Sequence, residues 1–323
     1  MGIIENLLFF IFLFLALNIF VKIFIRHLLN LSFYFRISYF LAAFIFGGLT
    51  TSLPELLIAI QSAIKKINTL SLGNLLGSNI TDMSLILGIS LLLILFKKEQ
   101  KFQEISFHLT SKEFLATILV SFTPFILTLN GYFGRIESIV TLTIFFLYFY
   151  FLYKENKIKV ETKSESINFR QFFLSLLAVI FSCFLITVLS YLIVNESAII
   201  LNKLNISTIG FGALILSLGT TLPEMIFSFQ TLKKGLPDFV IGNLVGSVAI
   251  NSNFILGIAG LINPFVIEEI FKLVINLIFL FLVMIINFYF ISHKRFNLIF
   301  ASWLLLLWLV YAVFNFLFLI FKF

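Results

Sequence analysis

The chain is poor in what a soluble domain puts at its surface. Only 11% of its 323 residues are Asp, Glu, Lys or Arg, against about 25% in ordinary soluble domains. It has one cysteine, Cys183, so no disulfide can form within the chain and no zinc spacing exists; Cys183 is expected to be a packing residue. The three histidines, His27, His108 and His293, stand apart at the ends of apolar runs, leaving no imidazole pair for zinc or copper. No nucleophile–base pair is visible, so neither an enzyme nor a bound cofactor is expected. The net charge of +7 does not point to nucleic acid, because the basic residues lie between apolar runs, where Lys and Arg set membrane orientation.

What the chain has is hydrocarbon: 61% of its residues are hydrophobic and 45 are phenylalanine. The runs are about 20 residues or longer, enough to cross a bilayer as helices, and too continuous for the alternating strands of a barrel. The expected fold is an all-α polytopic membrane protein in the lipid bilayer. Its ten spans are expected at about 3–27, 36–64, 70–95, 108–130, 135–153, 172–201, 207–232, 239–262, 270–291 and 296–320, with boundaries good to a few residues. The apolar N-terminus reads as a retained first span rather than a signal peptide. The phenylalanines are assigned lipid-facing and packing roles. With the N-terminus outside, sixteen of the 22 basic residues fall on the inner side and six on the outer. This bias predicts both termini outside.

One stretch is read twice. Thr51-Ser52-Leu53-Pro54-Glu55 precedes Gly73-Asn74-Leu75-Leu76-Gly77-Ser78-Asn79-Ile80-Thr81-Asp82. Thr220-Thr221-Leu222-Pro223-Glu224 precedes Gly242-Asn243-Leu244-Val245-Gly246-Ser247-Val248-Ala249-Ile250-Asn251. Glu55 and Glu224, Ser78 and Ser247, and Asp82 and Asn251 are each separated by 169 positions. The expected organisation is a first five-helix repeat at 1–153, a polar cytoplasmic linker at 154–170, and a second five-helix repeat at 171–323. Five spans per half is an odd number, so the second half enters the membrane from the opposite side. This inverted-topology repeat is common to many secondary transporters, with the site at the midplane.

Each repeat places a glutamate where a bare charge costs several kcal/mol. Proline removes a helical hydrogen bond, so Pro54 frees the carbonyl of Thr50 and Pro223 that of Gly219, and carbonyls such as those of Thr51 and Thr220 are expected to turn out. Such carbonyls are tolerated at this depth only where protein, water or a cation satisfies them. Spacings of three and four place Thr51, Ser52 and Glu55 on one helix face, and Thr220, Thr221 and Glu224 likewise. Asn74, Ser78 and Asp82, spaced by four, form a polar stripe, as do Asn243, Ser247 and Asn251. Gly73 with Gly77, and Gly242 with Gly246, predict close helix packing, and Gly47, Gly48 and Gly219 a close backbone approach. The ligand set is oxygen only, which suits Na⁺, Ca²⁺ or Mg²⁺. Flexible carbonyls with two glutamates favour Ca²⁺ over the rigid octahedron of Mg²⁺. Two like charges facing one pocket are relieved by one Ca²⁺, several Na⁺ or protons. If only the neutralised pocket crosses between two faces, its occupants exchange.

These two stretches resemble the α-repeats of the calcium/cation antiporter superfamily, most nearly its prokaryotic sodium/calcium exchangers. The likeness covers about 48–88 and 217–257. It implies a monomer that exchanges Na⁺ for Ca²⁺ electrogenically by alternating access, its first and sixth spans sliding across the core. It implies that Glu55 and Glu224 ligate Ca²⁺ with the carbonyls of Thr51 and Thr220. Ser52, Thr221, Ser78 and Ser247, with the carbonyls of Gly48 and Ser217, would line Na⁺ sites, and Asp82 and Asn251 would form a fourth paired position. Three departures bear on ion preference. Thr221 replaces the usual serine, the acid of the Asp82/Asn251 pair lies in the first repeat, and Val248 stands where asparagine is usual. Exchange of Ca²⁺ for H⁺, a K⁺ requirement, and a passive cation channel are the alternatives.

Other polar residues are assigned structural roles. Glu104, Glu113, Glu268 and Glu269 are expected to be solvated. Trp303 and Trp308 are expected to pack or to anchor the last span, and Asn18, Asn276 and Asn287 to link helices.

Overall fold

The computed structural model describes residues 2–34, 48–49, 51–96, 111–155, 169–233, 237–293 and 297–320. It is built of helices, as a chain in hydrocarbon must be when every backbone polar group needs an internal partner. The rods are α1 (Ile3–Tyr34), α2 (Leu53–Ile64), and α3, which runs Asn68–Thr81, Asp82–Ile86 and Leu87–Phe96. Next come α4 (Ser111–Leu127), α5 (Arg135–Glu155) and α6 (Phe169–Leu204). Then α7 runs Thr208–Phe211, Gly212–Leu216, Ser217–Thr220 and Leu222–Lys233, and α8 runs Pro237–Ala249, Ile250–Ile255 and Leu256–Ile262. Last are α9 (Ile270–Ser292) and α10 (Leu298–Ile320). Among the described residues nine helices are long and apolar enough to cross a membrane, and α2 is a shorter apolar helix. The first part of the expected second span, most of the 154–170 linker, Glu104 and His108 lie outside the described residues.

Equivalent helices of the two halves run antiparallel. In α1 and α6, Asn6 Nδ2 donates to Glu196 Oε2 at 2.8 Å near one end, and His27 Nδ1 lies 3.2 Å from Ser175 Oγ near the other. In α3 and α8, Asn68 Nδ2 donates to the Asn263 carbonyl at 2.7 Å and Asn79 Nδ2 to Ser252 Oγ at 2.8 Å. As sequence number rises in one partner it falls in the other, which is the inversion the odd span count requires. With 32 and 36 residues, α1 and α6 are about 48 and 54 Å long at 1.5 Å per residue. They exceed the hydrocarbon thickness and must tilt or project.

A two-residue antiparallel ribbon joins the α4–α5 and α8–α9 connections. In it β1 (Tyr132–Phe133) pairs with β2 (Phe265–Val266), Tyr132 opposite Val266 and Phe133 opposite Phe265. The turn before β1 places Gly131 at φ +83°, a region that favours glycine. One apolar core gathers Leu75, Leu76, Ile80, Leu244 and Val248 of α3 and α8 with Phe279 and Leu280 of α9 and Leu304 and Tyr311 of α10. A second joins α1, α6 and α7. Phe12, Phe146 and Phe181 are more than half exposed, as lipid-facing residues are, whereas Phe114, Phe125 and Phe133 are fully buried.

Several expectations change. Glu113 is buried rather than solvated. Glu269 accepts from Ser207 Oγ at 2.8 Å and from the Ile209 amide at 3.0 Å, holding the start of α7. Asn287 does link helices, donating to the Met83 carbonyl at 2.9 Å, but Asn18 and Asn276 donate to carbonyls of their own helices, Phe14 and Lys272. Cys183 is a free thiol packed against the α1–α6 core.

Candidate cation site

The helices that carry Pro54 and Pro223 are interrupted at the same repeat position. Ser52 has φ −82° and ψ 9°, and Thr221 has φ −82° and ψ −1°. Each residue is the hinge between two helical segments, with Pro54 and Pro223 in the first turn of the segment that follows, where a missing N–H does least harm. Glu55 and Glu224 therefore project from the start of a new helix.

Glycine sets how closely the other elements approach. A Cβ at Gly73 would lie 2.3 Å from the Ile209 carbonyl oxygen, one at Gly77 2.0 Å from that of Ala213, and one at Gly212 2.3 Å from that of Leu70. Thus α3 and the start of α7 touch backbone to backbone. Gly48 also faces backbone, at Gly246 and Ser247, beyond the nearer side chain of Ile250. Gly219 is a correction: its missing Cβ makes room for the Phe14 ring of α1, 2.3 Å from the built position, not for a backbone. Among the described residues nothing lies within 4 Å of the position a Cβ would take at Gly242; the residues equivalent to Ile209–Ala213 lie outside that set.

Every residue of the expected site is buried, none more than 3% exposed among those with side chains, and Gly48 is buried as well. The contacts repeat across the two halves. Ser78 Oγ donates to Glu55 Oε1 at 3.4 Å and Ser247 Oγ to Glu224 Oε1 at 3.3 Å. Thr51 Oγ1 donates to Asn243 Oδ1 at 3.3 Å, and Thr220 Oγ1 to Asn74 Oδ1 at 3.1 Å. The last two join the halves, so the polar stripes of α3 and α8 face each other's partner helix. The mirror breaks at one pair. Ser52 Oγ lies 2.6 Å from Ser247 Oγ, but Thr221 Oγ1 folds back onto the Ser217 carbonyl at 2.9 Å, and Thr220 stands 3.2 Å from Ser78 instead. This is the position where the sequence departs from serine. The Ser217 carbonyl also lies 3.2 Å from Thr220 Oγ1, and the Gly48 carbonyl 3.4 Å from that of Thr51.

What lacks a partner is as regular as what has one. Oε2 of Glu55 and of Glu224, both oxygens of Asp82, both polar atoms of Asn251, and the amide nitrogens of Asn74 and Asn243 are buried without a hydrogen-bond partner. A buried polar atom left so costs about 1–3 kcal/mol, more when charged. Glu55, Asp82 and Glu224 also feel one another's charge. Acceptor oxygens with no donor, gathered among like charges, are what a cation would satisfy. Among the described residues no three Asp, Glu, His or Cys side chains converge as a metal cage, so hydroxyl, amide and carbonyl oxygens would have to complete any coordination.

A feature without a sequence signature is the winding of α3, α7 and α8. Each contains a π-helical turn, at Asp82–Ile86, Gly212–Leu216 and Ile250–Ile255. Asp82 opens the first, and Asn251, its equivalent, lies in the third. Such turns are rare and recur at functional sites. They depend on where backbone bonds are made, which side-chain periodicity does not report.

The chain is similar to known membrane proteins. The family model described as sodium/calcium exchanger protein matches residues 5–154 and 174–317. The inner membrane protein YrbG of Escherichia coli K12 is 25% identical over 223 residues, 66% of this chain and 66% of its own length. Sodium/calcium exchanger MaX1 of Methanosarcina acetivorans is 22% identical over 273 residues, 72% of this chain and 76% of its own. Among solved structures, the sodium-calcium exchanger NCX_Mj soaked with 2.5 mM Na⁺ and 1 mM Sr²⁺ matches 97% of this chain and 99% of its own. Its TM-score is 0.64 at 22% identity, a likeness of fold.

Proposed function

The chain belongs to the sodium/calcium exchanger family, a family of membrane transporters, and from that premise we propose that it is a secondary active antiporter. It exchanges Na⁺ for Ca²⁺ electrogenically by alternating access, working as a monomer of two inverted five-helix repeats. One observation carries this reading. Two mirrored glutamates, fully buried, each keep one carboxylate oxygen without a donor, beside an Asp82 that keeps both. A site so sealed and so rich in unpaired acceptors is poorly suited to stand empty between its two openings. Ca²⁺ would sit between Glu55 and Glu224 with the carbonyls of Thr51 and Thr220. Na⁺ would take the hydroxyls of Ser52, Ser78, Thr221 and Ser247 with the carbonyls of Gly48 and Ser217. Asp82 and Asn251 complete the middle of the pocket.

Reconstituted vesicles loaded with Na⁺ and diluted into Na⁺-free buffer are expected to take up Ca²⁺ as Na⁺ leaves, with a net movement of charge across the membrane. Uptake is expected to fall to background in Glu55→Gln and in Glu224→Gln. A channel would pass Ca²⁺ without a counter-ion. A second reading, Ca²⁺/H⁺ exchange or a K⁺ requirement, draws on the two unpartnered oxygens of Asp82. Uptake driven by a pH gradient without Na⁺, or abolished by removing K⁺, would select it.

A further inference from the structure

Outside the mirrored set, the last helix makes a pair of polar contacts that the repeat does not share. Trp308 and Tyr311 lie three residues apart on α10, a spacing that points both to one side. Tyr311 is 1% exposed, and its hydroxyl donates to the Ala213 carbonyl at 2.6 Å. Ala213 lies in the π-helical turn of α7, directly before Ser217, and Ser217 Oγ donates to the same carbonyl. Trp308 Nε1 donates to Thr81 Oγ1 at 3.3 Å, and Thr81 is the residue before Asp82, where the π-helical turn of α3 opens. One helix thus holds both halves where their winding changes. The positions 169 residues earlier, on α5, are Leu142 and Ile139, which have no donor to offer.

A π-helical turn accommodates one more residue than an α-helical turn and displaces the carbonyls from their usual partners. Rewinding it would rotate everything beyond by about 100°, one residue's share of a 3.6-residue turn. In α7 that rotation would carry off the Ser217 carbonyl, the acceptor of both Thr220 and Thr221. We propose that Tyr311 is a positioning residue which, by its bond to Ala213, keeps the π-helical turn wound and the Na⁺-facing oxygens of α7 in place. Trp308 does the same for Asp82 through a longer and weaker bond. The inference rests on the proposed assignment of Ser217 and Thr221 to Na⁺. Thr220 and Glu224 also lie beyond this turn, so the Ca²⁺ ligands of α7 lose their alignment with the Na⁺ ligands.

Tyr311→Phe keeps the ring and removes the donor, and Trp308→Phe is the companion variant. In vesicles, Tyr311→Phe is expected to raise the Na⁺ concentration for half-maximal Ca²⁺ release about tenfold, the weight of one buried hydrogen bond. Half-saturation for Ca²⁺ in Ca²⁺/Ca²⁺ exchange without Na⁺ should rise as well, and Trp308→Phe should shift Na⁺ dependence by a smaller factor than Tyr311→Phe. Hydrogen exchange of 212–217 should quicken in Tyr311→Phe while that of 256–262 does not. Unchanged Na⁺ dependence, or unchanged exchange at 212–217, would overturn the proposal. If the unaltered protein shows no Na⁺-driven flux, the Na⁺ assignment fails by itself, and the hydrogen-exchange comparison still decides whether Tyr311 holds the turn.

Discussion

The buried acids do not act alone. Each glutamate is held by one hydroxyl from the following helix, Ser78 for Glu55 and Ser247 for Glu224, at nearly equal distances. A hydrogen bond to a charged group contributes about 1.5–3 kcal/mol, so Ser78→Ala and Ser247→Ala are each expected to raise half-saturation for Ca²⁺ by about tenfold or more. Titration of Ca²⁺ uptake checks this, and the two effects should agree within about threefold if the glutamates share one ion. A large effect from one serine and none from the other would place the carboxylates in separate sites. The identity of these residues was legible because each repeat writes the same polar types at the same spacing. Their partners were less so. Spacing reports which residues share a helix face, but Thr51 to Asn243 and Thr220 to Asn74 cross between halves. Trp308, expected only to pack or anchor, proves to be a donor to Thr81, because an indole on an apolar helix gives no sign of what its N–H meets.

The helices show which features a pattern carries and which it cannot. The interruptions at Ser52 and Thr221 accompany Pro54 and Pro223, since a ring without an N–H is best placed in the first turn of a helical segment, although Pro124 lies inside α4. The π-helical turns follow from no residue type and were invisible. Glycine spacing was informative in α3: a Cβ at Gly73 would lie 2.3 Å from a backbone oxygen of α7. Gly73→Ala is therefore expected to lower the melting temperature of the detergent-solubilised protein by several degrees, as overpacking costs about 1–3 kcal/mol. An unchanged transition, read by thermal unfolding, would mean that the two backbones do not approach so closely there.

At the scale of the whole molecule, the fold was legible because hydrocarbon leaves few options. Long apolar runs must be helices, and an odd number per half must invert. The antiparallel seating of α1 on α6 and of α3 on α8 is that inversion made visible. Which ion drives the cycle was not legible to the same degree, because oxygen ligands serve several hard cations, and the Asp82/Asn251 pair departs from the usual arrangement. The central claim is that Glu55 and Glu224 share one cation pocket in which Ca²⁺ and Na⁺ exclude each other. Equilibrium Ca²⁺ binding to the purified protein, titrated with Na⁺, tests it most directly. The account predicts Ca²⁺ bound in one class of site, displaced as Na⁺ rises, and lost in either Glu55→Gln or Glu224→Gln. Ca²⁺ that stays bound at high Na⁺, or that binds undiminished after both substitutions, would contradict it.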